Sequence, residues 1–190
     1  MMLPPEARRA LLGIARRSLA HGAAAGRPLD VGGLPLEPAL AAVGASFVTL
    51  HEAETLRGCI GTLEPHRPLA EDVAENAFGA GFRDPRFPPV QAGELERLSI
   101  SVTLVGTAQA VGARTEAELL ETVRPRTDGL TLELGARRAT FLPAVWEQLP
   151  EPRDFLQQLR RKAGLAPDFW SAELRFSRYQ TFSFAEGDDE

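Results

Sequence analysis

The chain has 190 residues, long enough for one compact unit to bury a core without disulfides or structural metal. Apolar residues make up 44% and charged residues 25%, ordinary values for a folded chain, so disorder is not expected. A formal charge of −5 excludes the basic footprint of a general nucleic-acid binder, and no nucleic-acid partner is expected.

Cys59 is the only cysteine, which rules out an intramolecular disulfide and suits a reducing compartment. Residues 1–6 carry no basic segment followed by an apolar run, so no signal peptide is expected. No stretch of about 18 apolar residues occurs, so no membrane span is expected. The cytoplasm is the expected location. Lys162 is the only lysine; any Schiff-base chemistry would fall to it, and it lies in a predicted helix beside Arg160 and Arg161, read as a solvated face. A Gly-Lys-Ser/Thr phosphate loop is absent.

Pro4-Pro5 opens a helix on which Ala7, Leu11, Ile14, Ala15 and Leu19 recur at helical spacing, fading over residues 22–26. Residues 27–38 are rich in Gly and Pro and read as a loop. Residues 46–51 and 56–62 read as strands joined by the short polar link 52–55, a hairpin. Helical periodicity returns over 69–82 and cannot pass Asp84-Pro85-Arg86-Phe87-Pro88-Pro89, because proline removes donors and biases its predecessor to extended backbone. Residues 99–105 alternate, with Ile100, Val102 and Leu104 on one face and Ser99, Ser101 and Thr103 on the other, as in a half-exposed strand.

Thr115 and Glu118 form a capping-box pattern before the helix 116–123. Residues 130–134 and 138–142 flank Gly135-Ala136-Arg137 as a second hairpin, Pro143 opens a short helical piece through Trp146, and Pro152 opens a helix that Gly164 stops. Leu174, Phe176, Phe182 and Phe184 share one alternation phase, read as a single late strand interrupted by Arg178 and Gln180, and residues 186–190 form an acidic tail expected to fray. The mixed order of elements predicts an α+β fold with mainly antiparallel sheet and flanking helices.

The most chemically loaded segment is Leu56-Arg57-Gly58-Cys59-Ile60-Gly61. Regular alternation puts Arg57, Cys59 and Gly61 on one face, and an arginine beside a thiol favours the thiolate that attacks electrophiles. Gly61 leaves room for a ligand, and Gly58 loosens the strand. The bland alternative is a small buried cysteine among glycines that mark a bulge. His51, brought near by the hairpin, is the candidate base for Cys59. His21 and His66 show no metal-ligand spacing, so no metal and no cofactor are expected. The acidic pairs Glu71/Asp72 and Glu94/Glu96 read as solvated charge. Asp84 reads as a turn cap, and Arg86 either as part of that turn or as a residue facing an anionic ligand.

These residues carry a resemblance. Leu56-Arg57-Gly58-Cys59-Ile60-Gly61-Thr62 looks like the signature of the AMMECR domain family, whose microbial members are called AmmeMemoRadiSam system protein A. Phe47-Val48-Thr49-Leu50, Pro68-Leu69 with Asp72-Val73, Asn76-Ala77, Phe82-Arg83-Asp84-Pro85-Arg86-Phe87 and Pro89-Val90 resemble the family pattern, as do Asp128-Gly129-Leu130, Phe141-Leu142-Pro143 with Val145, and Lys162-Ala163-Gly164-Leu165. The resemblance implies two subdomains flanking a cleft. It implies association with a Memo-type protein and a radical-SAM enzyme, and it adds Thr62 and Asn76 to the candidate binding residues. Ser101 departs from the pattern, since many microbial relatives carry an acidic residue there. Two functions fit: an enzyme or enzyme subunit centred on Cys59, with Arg57 and Arg86 binding an anion, or a non-catalytic module that recognises a partner or an unidentified small ligand through the same segment.

Overall fold

Pro4 and Pro5 supply the preset backbone of a first helical turn, and α1 (Pro5–Ala25) follows in this computed structural model, which describes residues 3–188. The helix ends within its expected fading range, where Gly26, at φ +65°, caps it in the left-handed region. Ala7, Leu11, Ile14, Ala15 and Leu19 are all buried.

The Gly/Pro-rich stretch is a loop closed by one short turn of helix, α2 (Pro38–Ala41). A two-residue strand β1 (Val43–Gly44) precedes β2 (Ser46–Glu52), β3 (Thr55–Gly61) and a second two-residue strand, β4 (Arg67–Pro68), which pairs with β1. β2 and β3 form the expected hairpin, antiparallel, with Ala53 at φ +53° in the turn. Next come α3 (Leu69–Phe82) and a 3-10 segment (Ala92–Arg97) that sequence periodicity did not reveal, then β5 (Leu98–Val105). β5 alternates as expected: Ile100, Val102 and Leu104 are buried, Ser99 is exposed, and Ser101 and Thr103 are half-buried.

The chain divides into two compact units, Met1–Val105 with Phe182–Glu190, and Gly106–Thr181. The second contains β6 (Gln109–Val111), α4 (Glu116–Thr122), β7 (Gly129–Leu134), β8 (Arg137–Phe141), a 3-10 segment (Pro143–Glu147), α5 (Pro152–Lys162) and β9 (Arg175–Tyr179). Its sheet runs β6-β9-β7-β8, entirely antiparallel. Thr115 caps α4, its hydroxyl accepting the Glu118 N–H at 3.2 Å. The core packs Trp146 on Phe155, ring centroids 3.7 Å apart, with Leu119, Leu130, Leu132 and Leu159.

β10 (Thr181–Ala185) returns to the first unit, whose sheet runs β10-β5-β2-β3. The run from Leu174 to Phe184 is therefore two strands in two sheets: Leu174 and Phe176 enter the second core, and Phe184 the first. The shared alternation phase concealed this, because both strands bury the same parity.

One expectation of solvated charge is corrected. Arg160 is buried, donating to Glu116 at 2.7 Å and to the Pro167 carbonyl at 2.7 Å. Lys162 is exposed, as expected of a solvated face, and its Nζ donates to the Thr140 carbonyl at 2.9 Å. The acidic tail, expected to fray, is anchored at its start, where Glu186 pairs with Arg16 and accepts the Ile100 N–H; residues 189–190, like residues 1–2, lie outside those described. The fold is α+β, antiparallel sheets with flanking helices. No helix among the described residues is long and apolar enough to cross a membrane.

Candidate functional site

The first unit packs α1 and α3 on one face of its sheet, where Val48, Leu50, Ile100 and Val102 are fully buried. The alternate residues Phe47, Thr49, His51, Ser101 and Thr103 are half-buried on the other face. Cys59 belongs to this second face. In register, Thr49 stands between Cys59 on β3 and Ser101 on β5, so the three make one row across three strands.

Gly58 sets how closely β3 approaches α3. A Cβ there would lie 2.1 Å from the Ala80 carbonyl oxygen, so only glycine lets the helix backbone come this near. The close approach brings the end of α3 beside the outer edge of β3, and Asp84 follows two residues after the helix. Its carboxylate accepts the Cys59 N–H at 2.9 Å, the Arg86 Nε–H at 2.9 Å and an Arg86 Nη2–H at 2.6 Å. Arg86 Nη2 also donates to the Cys59 carbonyl at 3.3 Å. The two side chains thus occupy the hydrogen-bonding edge that a fifth strand would take. Because both polar groups of Cys59 point outward, Cys59 and Thr49 are a non-hydrogen-bonded pair, the kind whose side chains come closest. The Thr49 hydroxyl donates to the Cys59 sulfur at 3.2 Å.

The Arg86 side chain, through its hydrogen bonds, holds the Asp84 carboxyl far below the usual carboxylate range; desolvation opposes this, and the Cys59 and Arg86 N–H groups add to it. Asp84 is covered but shallow, so desolvation does not win. Arg86 is pushed up in turn, chiefly by Asp84, with a smaller electrostatic contribution from Cys59.

The expectation that Arg57 flanks the thiol is corrected. Between Leu50/Gly58 and His51/Leu56 the register slips, leaving Arg57 as the extra residue of a β-bulge. The bulge breaks the alternation that would have set Arg57 beside Cys59. Arg57 instead donates to Glu94 at 2.9 and 3.2 Å and to the Pro88 carbonyl at 2.9 Å, with its side chain only 12% exposed. Glu94 is accordingly not solvated charge. The arginine that reaches Cys59 is Arg86, which donates to its carbonyl at 3.3 Å. His51 stays on the face of Thr49 but pairs with Leu56, beyond the bulge, so the residue the hairpin sets against the thiol is Thr49.

The remaining candidates have structural work. Gly61 lies against the Phe47 ring, where a Cβ would be 2.1 Å from the ring carbons. Thr62 and Asn76 belong to a polar knot at the other end of β3. Asn76 Nδ2 donates to the Ser46 carbonyl at 2.9 Å and to Asp72 at 2.9 Å, and lies 3.3 Å from the Thr62 hydroxyl. Asp72, expected to be solvated, is fully buried and accepts from the Ser46 N–H and hydroxyl and from Arg67. Thr49, Glu94, Ser46 and Asp72 were missed as partners; the hairpin register, and the four-residue spacing of Asp72 and Asn76 on a helix, were the available signals. Among the described residues no group of three or more His, Cys, Asp or Glu is placed to hold a metal ion.

A family model described as AMMECR1 matches residues 12–184. The chain belongs to the AMMECR1 family. Among its AMMECR1-family relatives it is 37% identical over 144 residues to Protein MJ0810 of Methanocaldococcus jannaschii, covering 74% of this chain and 72% of that one. It is 34% identical over 195 residues to a protein of Methanosarcina mazei, covering 100% and 97%. A solved structure titled as that of the uncharacterized protein PH0010 from Pyrococcus horikoshii superposes with a TM-score of 0.85 at 28% identity, covering 97% of this chain and 94% of that one. In this AMMECR1-family protein, the signature strand around Cys59 and the Asp84-Pro85-Arg86 turn are joined through the Cys59 main chain.

Proposed function

We propose that this AMMECR1-family protein is an enzyme or enzyme subunit whose working group is the Cys59 thiol, acting in the cytoplasm with Memo-type and radical-SAM partners. One observation carries the reading: Cys59 is only half-buried and its sulfur receives a hydroxyl donor, Thr49, on a strand whose main chain is pinned from outside by Asp84 and Arg86. A nucleophile needs this combination of access and fixed geometry. The net negative charge and the lone cysteine support an intracellular role without nucleic acid. The partners rest on the family resemblance.

A second reading has one specific observation in its favour. The group bonded to the sulfur is a hydroxyl, not an imidazole or carboxylate, and a module that only binds a ligand on this face needs no base. The two separate when wild type and Cys59→Ala are purified natively and their bound small molecules and intact masses compared. A covalent adduct or a transformed ligand with wild type, and an unchanged ligand on Cys59→Ala, supports the enzyme. The same unmodified ligand on both proteins supports the binding module and sets the enzyme aside.

A further inference from the structure

The guanidinium of Arg86 has five N–H groups, and the structure accounts for three. Nε and one Nη2 hydrogen go to Asp84, and the other Nη2 hydrogen goes to the Cys59 carbonyl. Among the described residues Nη1 makes no hydrogen bond, and the side chain is 54% exposed. Phe87 backs the group, its ring centroid 5.3 Å from the guanidinium carbon. An arginine fixed along one edge and open along another is preorganised to donate to an oxyanion. The other cation of the signature, Arg57, is consumed by Glu94 and Pro88.

We infer that Arg86, aimed by Asp84, is the specificity-determining residue of the Cys59 site, and that the ligand of this site carries an oxyanion, which takes the open Nη1 edge while its reacting atom meets the thiol. The inference rests on the Cys59 reading above and deepens it. Asp84 has two parts: it ties Arg86 to the Cys59 main chain, and it neutralises Arg86 so that the guanidinium does not pair with the sulfur instead. The Arg86 guanidinium lies 3.3 Å from the Cys59 carbonyl, which puts the two residues within reach of one small molecule.

The test compares alkylation of Cys59 by iodoacetate, an anion, and by iodoacetamide, its neutral counterpart, followed by intact mass on the full chain. Wild type, Arg86→Gln, Arg86→Lys and Asp84→Asn are measured, each checked for cooperative unfolding. A unit charge about 6 Å away across a water-like dielectric changes the encounter with an anion about threefold. The iodoacetate-to-iodoacetamide ratio falls by about that factor in Arg86→Gln, is partly kept by Arg86→Lys, and rises in Asp84→Asn, where the cation is no longer balanced. A merely structural role moves both reagents together and leaves the ratio alone. Inorganic phosphate slows iodoacetamide in wild type and not in Arg86→Gln. Ratios that agree across all four proteins, with no protection by phosphate, overturn the oxyanion inference while the Cys59 reading stands. A Cys59 that reacts with neither reagent in the folded protein overturns both.

Discussion

The carboxylate of Asp84 stands where a neighbouring strand would offer a carbonyl, and it accepts the Cys59 N–H at 2.9 Å. An otherwise unpaired edge is closed by a side chain two residues past a helix, so the position of Cys59 depends on how α3 ends as much as on the sheet.

That relationship has an acid signature. Asp84 is held below its ordinary value of 3.8 by Arg86 first, against desolvation, with the Cys59 and Arg86 N–H groups helping. Its contribution to stability is therefore fully present above about 3.8, where the unfolded chain is also ionised. It is lost as pH falls from there through the lower folded value, because the unfolded chain takes up the proton first. Urea unfolding between neutral pH and about pH 3 is expected to show a shallower acid loss for Asp84→Asn than for wild type. Identical slopes would mean that this pair adds nothing to the pH dependence.

Gly58 and Gly61 differ in what a methyl group would strike. At Gly58 it meets the Ala80 carbonyl, which is helix backbone; at Gly61 it meets the half-buried Phe47 ring, which can turn away. Gly58→Ala is expected to cost about 3 kcal/mol or more, and Gly61→Ala about 1–2 kcal/mol. Equal costs, measured by denaturant midpoints, would show that α3 yields as easily as a ring.

Asp72 is fully buried and paired with Arg67, Ser46 and Asn76. Asp72→Ala leaves several donors without their acceptor and is expected to destabilise by about 3–5 kcal/mol, against about 1 kcal/mol for Thr62→Val at the half-buried rim of the same knot. A loss near 1 kcal/mol for Asp72→Ala would show that water replaces the carboxylate.

What the sequence disclosed is what local periodicity can carry. The strand 98–105 was legible because one face is apolar and the other is hydroxyls, and Ile100→Ala is expected to cost about 2–5 kcal/mol while Ser101→Ala stays within about 0.5 kcal/mol. The glycines did suggest a bulge as the alternative, but not which residue it displaces: one extra residue on an edge strand leaves no trace except a glycine, and Gly58 serves the approach of α3 as well. Asp72 and Glu94 looked like surface charge because an acidic side chain by itself does not show whether it is buried; Ser46 and Arg57, the partners that fix them across the fold, lie 26 and 37 residues away. Thr49 was in reach, since the register of a hairpin fixes which residue opposes Cys59.

The account turns on Cys59 being a working thiol in the folded protein, and its native-state alkylation tests that most directly. The rate of iodoacetamide modification is measured by intact mass in native buffer and at rising urea below the unfolding transition, for wild type and Thr49→Val. The account predicts a wild-type rate that is proportional to reagent, flat across low urea, and several-fold lower once the Thr49 hydroxyl no longer holds the sulfur. A rate that climbs with urea in step with the global unfolding equilibrium, and is the same for Thr49→Val once stability is matched, would show that Cys59 reacts only by unfolding and would contradict the account.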